Sequence, residues 1–441
     1  MKWEQLLSFK RLGNEHKFDA SAIRNRSRSE FEIDFDRIIF SHPFRRLQDK
    51  TQVVPLPEYD FVHTRLTHSL EVSSVGRSLG KNVGAYILRQ YPGLAETGFT
   101  ESDFGAIVAA ASLTHDIGNP PFGHSGERGL SEYFQTYRPE GCTDKEHEDL
   151  LKFEGNAQGF RILCDQQLQD LKLTYATLGT FTKYPCESII ENRSSERKSQ
   201  KKFGFFQSEK EEFRKIAEEL GLMPLSENSL SWCRHPLTFL VEAADDICYL
   251  VIDLEDAARM KVISIDKFTE LVAPILGARV DHTRLNSIRD ENQRIGLLRA
   301  MVINQLVQEC SDIFCAHEKD ILEGKFDRPL SDLITSASYT DEIASFSFRH
   351  IYNSQHVLEI QAAGFEVLPG LLSYFLEAVE DHQRNGKKCS GRSLNTVRML
   401  PETIVSETNA YLRTRMIIDY ISGMTDRHAV NFYRKIKGIS L

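Results

Sequence analysis

Proline and glycine are scarce in this chain, 14 and 26 of 441 residues, and they gather at junctions between longer runs. Alternation of apolar and polar residues is equally rare. These absences exclude a sandwich or barrel of many short strands with turn signals between them. They leave a chain that reads mostly as helix. No apolar run approaches the roughly 18–20 residues of a membrane span. The opening MKWEQLLSFKRLG has no long apolar stretch and no small-residue cleavage site, so the expectation is a cytoplasmic protein with no membrane partner. None of the eight cysteines stands in C-x-x-C spacing. Scattered thiols of this kind read as reduced and mostly buried. Positive charge is in deficit, with 54 Lys and Arg against 63 Asp and Glu and a net charge of -9. Such a surface does not draw nucleic-acid backbones as a whole, which leaves only local basic patches for that purpose.

The chain does have enough apolar residues, 41%, for a sizeable core. Its length exceeds the roughly 250–300 residues at which one core stops growing. The reading is a single large all-α domain over residues 1–441, with a metal-binding core over about 60–260 and a C-terminal helical part over about 265–441. The best strand candidate is Thr51–Val54, TQVV, paired with Asp60–Val62 in a small β-hairpin. Residues 191–202, ENRSSERKSQKK, form the clearest polar, basic loop. It reads as a solvated segment or as a lid that contacts anions.

Three helices carry the chemistry. The first starts near Thr64, and Thr64, His68, Val72, Val75 and Leu79 share one face of it. His68 therefore points inward. The second runs from about Asp103 to His115, with Phe104, Val108, Ala111 and His115 on one face, and Gly118, Pro120 and Pro121 stop it. The third spans about Pro236 to Arg259. Its segment 235–258 holds six acidic residues and no Lys or Arg. Solvated faces usually interleave both signs, so a purely acidic face predicts a cation or a cationic neighbour.

Two inward histidines on different helices, one followed directly by Asp116, change the reading of each. A buried Asp116 beside His115 costs several kcal/mol unless positive charge is near. A metal ion supplies that charge, and Asp245 on the acidic helix is the further ligand. Two imidazoles and two carboxylates suit Mn²⁺, Mg²⁺, Fe²⁺ or Zn²⁺. Just beyond, GHSGE places His124 and Glu127 three residues apart. On a helical turn they share a face, so Glu127 is expected to orient His124 and raise its pKa. That would be a general acid or base beside the metal.

The ordered blocks RLTHSLEVS, LTHDIGNPPFGHSGE, FEGNAQGFRIL, TKYP, KKFGFFQSEK, VEAADDICYLVIDLEDA and DYISGMTD resemble the HD-domain deoxynucleoside triphosphate triphosphohydrolases, above all the bacterial dGTP triphosphohydrolases. The resemblance reaches from Phe44 to Tyr433. It implies an all-α HD-domain globule with helical insertions, assembled as a homo-oligomer (a tetramer or hexamer), whose C-terminal part completes the substrate pocket and subunit contacts. It implies hydrolysis of a dNTP to the deoxynucleoside and inorganic triphosphate with a divalent metal, Mn²⁺ or Mg²⁺ first. By the same resemblance His68, His115, Asp116 and Asp245 are the metal ligands, and Asp245 is chosen over Asp246 because Tyr249 stands four residues on. His124 and Glu127 match the catalytic pair. Gln52 matches a contact near sugar and base, and Tyr249 and Asp253 match the sugar-reading pair. Arg65, Lys183 and Tyr184 look like phosphate contacts, and Arg413 and Arg415 lie near a segment that would reach substrate.

Two other readings share the motifs. One is an HD-type phosphohydrolase acting on a cyclic or alarmone nucleotide. The Tyr249-x-x-x-Asp253 pair and the Gln52 segment argue against it. The other is a non-catalytic regulator that binds nucleotide or single-stranded DNA through basic patches, such as 191–202 or Lys387, Lys388 and Arg392. A pure binder has no need of a full ligand set plus His124 and Glu127.

Overall fold

The computed structural model describes residues 1–13, 28–52, 63–165, 171–280, 282–353 and 355–439. Ten helices position the site: α1 (Glu30–Phe40), α2 (Arg65–Gln90), α3 (Glu101–Thr114), α4 (Gly123–Tyr133), α5 (Gly155–Cys164), α6 (Thr238–Arg259), α7 (Glu291–Leu322), α8 (Gln355–Asn385), α9 (Ala410–Ser422) and α10 (Asp426–Ile436). The fold is all-α, as expected. Among the described residues there are isolated β-bridges but no strand.

The small β-hairpin expected over 51–62 is not supported. Residues 53–62 lie outside the described part, and what remains is one antiparallel bridge between Thr51 and Thr64.

Local chemistry sets the helix starts. Thr64 and Thr67 form a capping box at the head of α2, with Thr64 N donating to Thr67 Oγ1 at 2.9 Å. At the head of α3, Asp103 Oδ2 accepts from Thr100 N at 2.8 Å. The two helices then pack closely along a row of small residues. A Cβ added at Gly80 would lie 2.7 Å from the Phe104 carbonyl oxygen, and one at Gly76 would lie 2.5 Å from Ser112 Oγ. Only glycine lets the backbones approach this far.

Two hydrophobic cores result. The first takes Val72 and Leu79 from α2, Phe104 and Val108 from α3, Ile247 and Val251 from α6, and Leu298 and Val302 from α7. The second takes Leu130 from α4, Leu368, Leu372 and Phe375 from α8, and Ile417 and Ile421 from α9. Each such side chain, fully buried, contributes about 1.5–3 kcal/mol. One helix, Val357–Lys388, is long and apolar enough by composition to cross a membrane. Its Leu368, Leu371, Leu372 and Phe375 are all buried in the second core. The segment from Leu113 to Leu130 passes from one core to the other, since Leu113 and Ile117 belong to the first and Phe122 and Leu130 to the second. All eight cysteines are free, and six are buried.

Candidate metal centre and active site

His68 sits in the first turn of α2 and is 1% exposed. Its Nε2 lies 3.1 Å from Asp245 Oδ1, which arrives from α6. His115 is the first residue past α3, and its Nδ1 donates to the Ser112 carbonyl at 2.7 Å. That bond assigns the tautomer and leaves Nε2 as the lone-pair nitrogen. Nε2 has no hydrogen-bond partner among the described residues, although it is buried. It faces Asp116 Oδ1 at 3.6 Å and Asp245 Oδ1 at 3.5 Å. His68, His115 and Asp116 each offer a ligand atom within 4.8 Å of the others.

Both carboxylates are held ionised. Burial alone would raise Asp116, but the Arg65 guanidinium and then the two imidazoles bring its pKa down to about 2. Burial opposes Asp245 as well, yet His115 and His68 hold it well below the usual carboxylate range. An orphaned imidazole nitrogen and two ionised carboxylates around one point fit a divalent cation. Asp246 turns away and accepts from Ser331 Oγ at 2.6 Å.

The turn after Asp116 is forced by close approach. A Cβ at Gly118 would lie 2.1 Å from the Gly155 carbonyl oxygen. Phe122 and Gly123 both take left-handed φ, 63° and 56°, which is costly for a bulky residue such as Phe122. A Cβ at Gly123 would lie 2.6 Å from Arg65 Nη2. Arg65 thus lies between this turn and Asp116, whose Oδ2 accepts from Nη1 at 2.6 Å.

The turn delivers His124 and Glu127 into the start of α4. His124 is exposed, and Glu127 is buried. The expected contact between them is not among the hydrogen bonds of the described residues. Glu127 Oε1 instead accepts from Gly155 N at 2.8 Å, the first residue of α5. Amides in the first turn of a helix lack an internal acceptor and attract a carboxylate. Burial and then Glu154 raise the Glu127 pKa. The His124 pKa is lowered rather than raised, by desolvation of its ring and then by Lys202 and Arg65.

Two cavities meet at His124. One, of about 170 Å³, is lined by His115, Asp116, Asp245, Lys183, Tyr184 and Lys202. The other, of about 150 Å³, is lined by Gln52, Arg65, Tyr249, Tyr352 and Gln361; His124 lines both. In the first, Lys183 pairs with Glu242 at 3.3 Å, and Lys202 with Glu154 at 2.8 Å. Burial works against the Lys183 ammonium, but Glu242, Tyr184, Asp246 and Asp245 together outweigh it and the pKa is raised. In the second, Tyr249 stacks on Tyr352 with ring centroids 5.3 Å apart. Tyr352 donates to Asp253 Oδ2 at 2.6 Å, and Gln52 Oε1 is buried without a partner among the described residues.

Most residues singled out in the sequence converge here. Arg413 and Arg415 do not line either cavity. Arg413 donates to the Glu407 carbonyl, and Arg415 is fully buried over the Phe206 ring. Sequence reasoning missed Tyr352, Glu154 and Asn156, and it reached Lys202 only as the end of a basic loop. The acidic face of α6 finds its cationic neighbours. Glu242 pairs with Arg234 at 2.8 Å, Asp256 with His63 at 2.7 Å, and Glu255 with Arg259 and Arg299.

Residues 65–160 match the HD domain family, and residues 335–435 match the phosphohydrolase-associated domain. The chain is 43% identical to the deoxyguanosinetriphosphate triphosphohydrolase-like protein of Synechocystis sp., over all of both chains. It is 34% identical to the like-named protein of Listeria monocytogenes, again over all of both. With the deoxyguanosinetriphosphate triphosphohydrolase of Salmonella typhimurium it shares 32% identity, covering 93% of this chain and 94% of that one.

Proposed function

Since the chain belongs to the HD-domain family of dGTP triphosphohydrolase-like proteins, we propose that it hydrolyses deoxynucleoside triphosphates, dGTP foremost, to the deoxynucleoside and inorganic triphosphate. One observation carries this reading. The cavity that holds the metal-fitting cluster together with Lys183 and Lys202, and the aromatic cavity, share a single wall, His124. A nucleotide laid across that wall puts its phosphates on one side, its sugar and base on the other, and the α-phosphorus between them.

A divalent ion, Mn²⁺ or Mg²⁺ first and Fe²⁺ or Zn²⁺ as the alternatives, would be held by His68, His115, Asp116 and Asp245 and would supply Lewis-acid charge stabilisation at the phosphate. The protein's own groups do the rest. Lys183, Lys202 and Tyr184 bind the β- and γ-phosphates as donors. Arg65, locked between Asp116 and the turn at Gly123, presents its remaining N–H groups toward the α-phosphate. Water attacks the α-phosphorus, and the bond to O5′ breaks.

His124 is placed to give a proton to that leaving oxygen. Burial of its ring, then Lys202 and Arg65, depress its pKa in the free site. The arriving triphosphate offsets both cations, so His124 takes up a proton as substrate binds and passes it to O5′. Glu127 anchors the α4 turn through Gly155 N. Asp253 reads the 3′-hydroxyl, and Tyr249 packs where a 2′-hydroxyl would be left unpaired.

Incubation with each dNTP and Mn²⁺ or Mg²⁺, followed by chromatography, tests the reading. Deoxynucleoside with intact triphosphate is the expected outcome. Monophosphate with pyrophosphate would overturn it. His124→Ala is expected to keep its metal and lose turnover.

A further inference from the structure

Beyond the residues that touch the two cavities, one buried carboxylate ties their shared wall to the far end of the chain. Asp426, the first residue of α10, is 1% exposed. Its Oδ1 accepts from Phe122 N at 3.1 Å, and its Oδ2 accepts from Thr51 N at 3.0 Å. Phe122 is the left-handed residue two places before His124, and Thr51 is the residue before Gln52. One carboxylate therefore holds the backbone on both sides of the proposed substrate path.

Lys50 completes the bracket. It is 3% exposed, and its Nζ donates to the Asn119 carbonyl at 2.6 Å and to the Ser422 carbonyl at 2.8 Å. Asn119 lies on the same turn as Phe122, and Ser422 ends α9. The turn at 119–123 is thus laced to the C-terminal helix pair at two points by buried hydrogen bonds, one to the Asp426 carboxylate and one through Lys50. Such a turn needs an outside hold, because a left-handed φ at phenylalanine is disfavoured unless the surroundings fix it.

We propose that Asp426 is a positioning residue for the reaction: by accepting from Phe122 N and Thr51 N together, it sets His124 against the α-phosphate and Gln52 against the nucleoside. This rests on the dNTP-hydrolysis reading above for its consequence, but not for its geometry. It gives the phosphohydrolase-associated region, residues 335–435, a direct part in the chemistry of the HD domain.

The test compares wild type with Asp426→Asn, which keeps shape but removes charge and replaces one acceptor oxygen with a donor. Two readouts are taken on the full chain. Turnover of dGTP with Mn²⁺ is expressed per metal-loaded chain; kcat is expected to fall at least tenfold and KM to rise several-fold, because His124 and Gln52 are displaced together. A merely structural role would lower metal loading but leave kcat per metal-loaded chain and KM where they were, and that outcome overturns the proposal. The second readout, hydrogen exchange by mass spectrometry, does not depend on turnover. Peptides across 117–124 and 48–52 are expected to exchange faster in the variant, with no change across 238–259. Unchanged exchange at 117–124 overturns the proposal as well. If wild type releases no triphosphate from any dNTP, the functional reading fails, and exchange alone decides the bracket. Asp426→Ser, which keeps a short acceptor, serves if the asparagine variant does not fold.

Discussion

His68 Nε2 and Asp245 Oδ1 lie 3.1 Å apart, joining the first turn of α2 to the middle of α6. The contact spans 177 residues of sequence and brings an imidazole and a carboxylate to the point that His115 Nε2 also faces. The neighbouring Asp246, one residue on, spends its carboxylate on Ser331. The two aspartates should therefore separate cleanly. Asp245→Asn is expected to lose bound metal and to reduce turnover by at least 10³-fold, whereas Asp246→Asn keeps its metal and loses no more than about tenfold. Metal content and triphosphate release on the same samples check this. Equal metal loss in both variants would count against the assignment.

Metal removal should also register as lost stability. A ligand that binds only the folded state stabilises by RT ln(1 + [L]/Kd), about 2.7 kcal/mol at a hundredfold excess over Kd. Chelation is therefore expected to lower Tm by a few degrees, and Mn²⁺ or Mg²⁺ to restore it. In Asp245→Asn, chelator should leave Tm unchanged. A wild-type Tm that ignores chelator would argue that no structural ion is held at this cluster.

How much of this was legible in the sequence follows from the range of each signal. Helical spacing put His68 and His115 on buried faces, and both are there, because a three-residue period is local information. The acidic face of α6 announced nearby cations, and Arg234, His63 and Arg299 are those neighbours. The His124–Glu127 pairing failed because spacing says which side chains share a face and not which acceptor wins. The free amide of Gly155, 28 residues away, competes successfully for Glu127. Tyr352 gave no signal, and Asp426 stood only as the last residue of the DYISGMTD block, with no role attached. Each reaches the site only through tertiary packing, Tyr352 against the first core and Asp426 at the head of α10 beside the second, and a lone tyrosine or aspartate in a helical run has no distinguishing pattern.

Sugar discrimination should depend on the aromatic pair. Tyr249 is 43% exposed, yet stacks on Tyr352, which is itself tied to Asp253. Tyr249→Ala is expected to lower the ratio of kcat/KM for dGTP over GTP by roughly 10- to 100-fold, since a hydroxyl facing an apolar wall costs about 1–3 kcal/mol. Tyr352→Phe removes the hydroxyl that bonds Asp253 and Tyr249 but keeps the stacked ring, and should raise KM for dGTP while leaving the ratio near the wild-type value. Steady-state kinetics with both nucleotides measure this, and an unchanged ratio in Tyr249→Ala would remove that ring from the sugar contact.

The last prediction concerns pH and lies outside the metal cluster. His63 immediately precedes the cap of α2. Its Nδ1 meets Asp256 Oδ1 at 2.7 Å, and its Nε2 meets Glu71 Oε1 at 3.3 Å. Burial opposes the charged ring, but the hydrogen bonds to Asp256 and Glu71 raise its pKa to about 10, against about 6.5 in the unfolded chain. Below pH 6.5 both states carry the proton, and the stabilisation is fully present. Between about 6.5 and 10 the unfolded chain releases the proton while the folded one keeps it. Folding stability therefore falls as pH rises through this window, with a slope of up to about 1.4 kcal/mol per pH unit. Above it the contribution is gone. His63→Gln should be less stable than wild type at pH 6.5, and the gap should close by pH 10. Denaturant midpoints across pH 6–10 for both proteins measure the gap. A difference that stays constant with pH would mean that His63 acts through packing alone. The expected convergence would instead show that a protonated histidine pins α2, which carries Arg65 and His68, against α6, which carries Asp245.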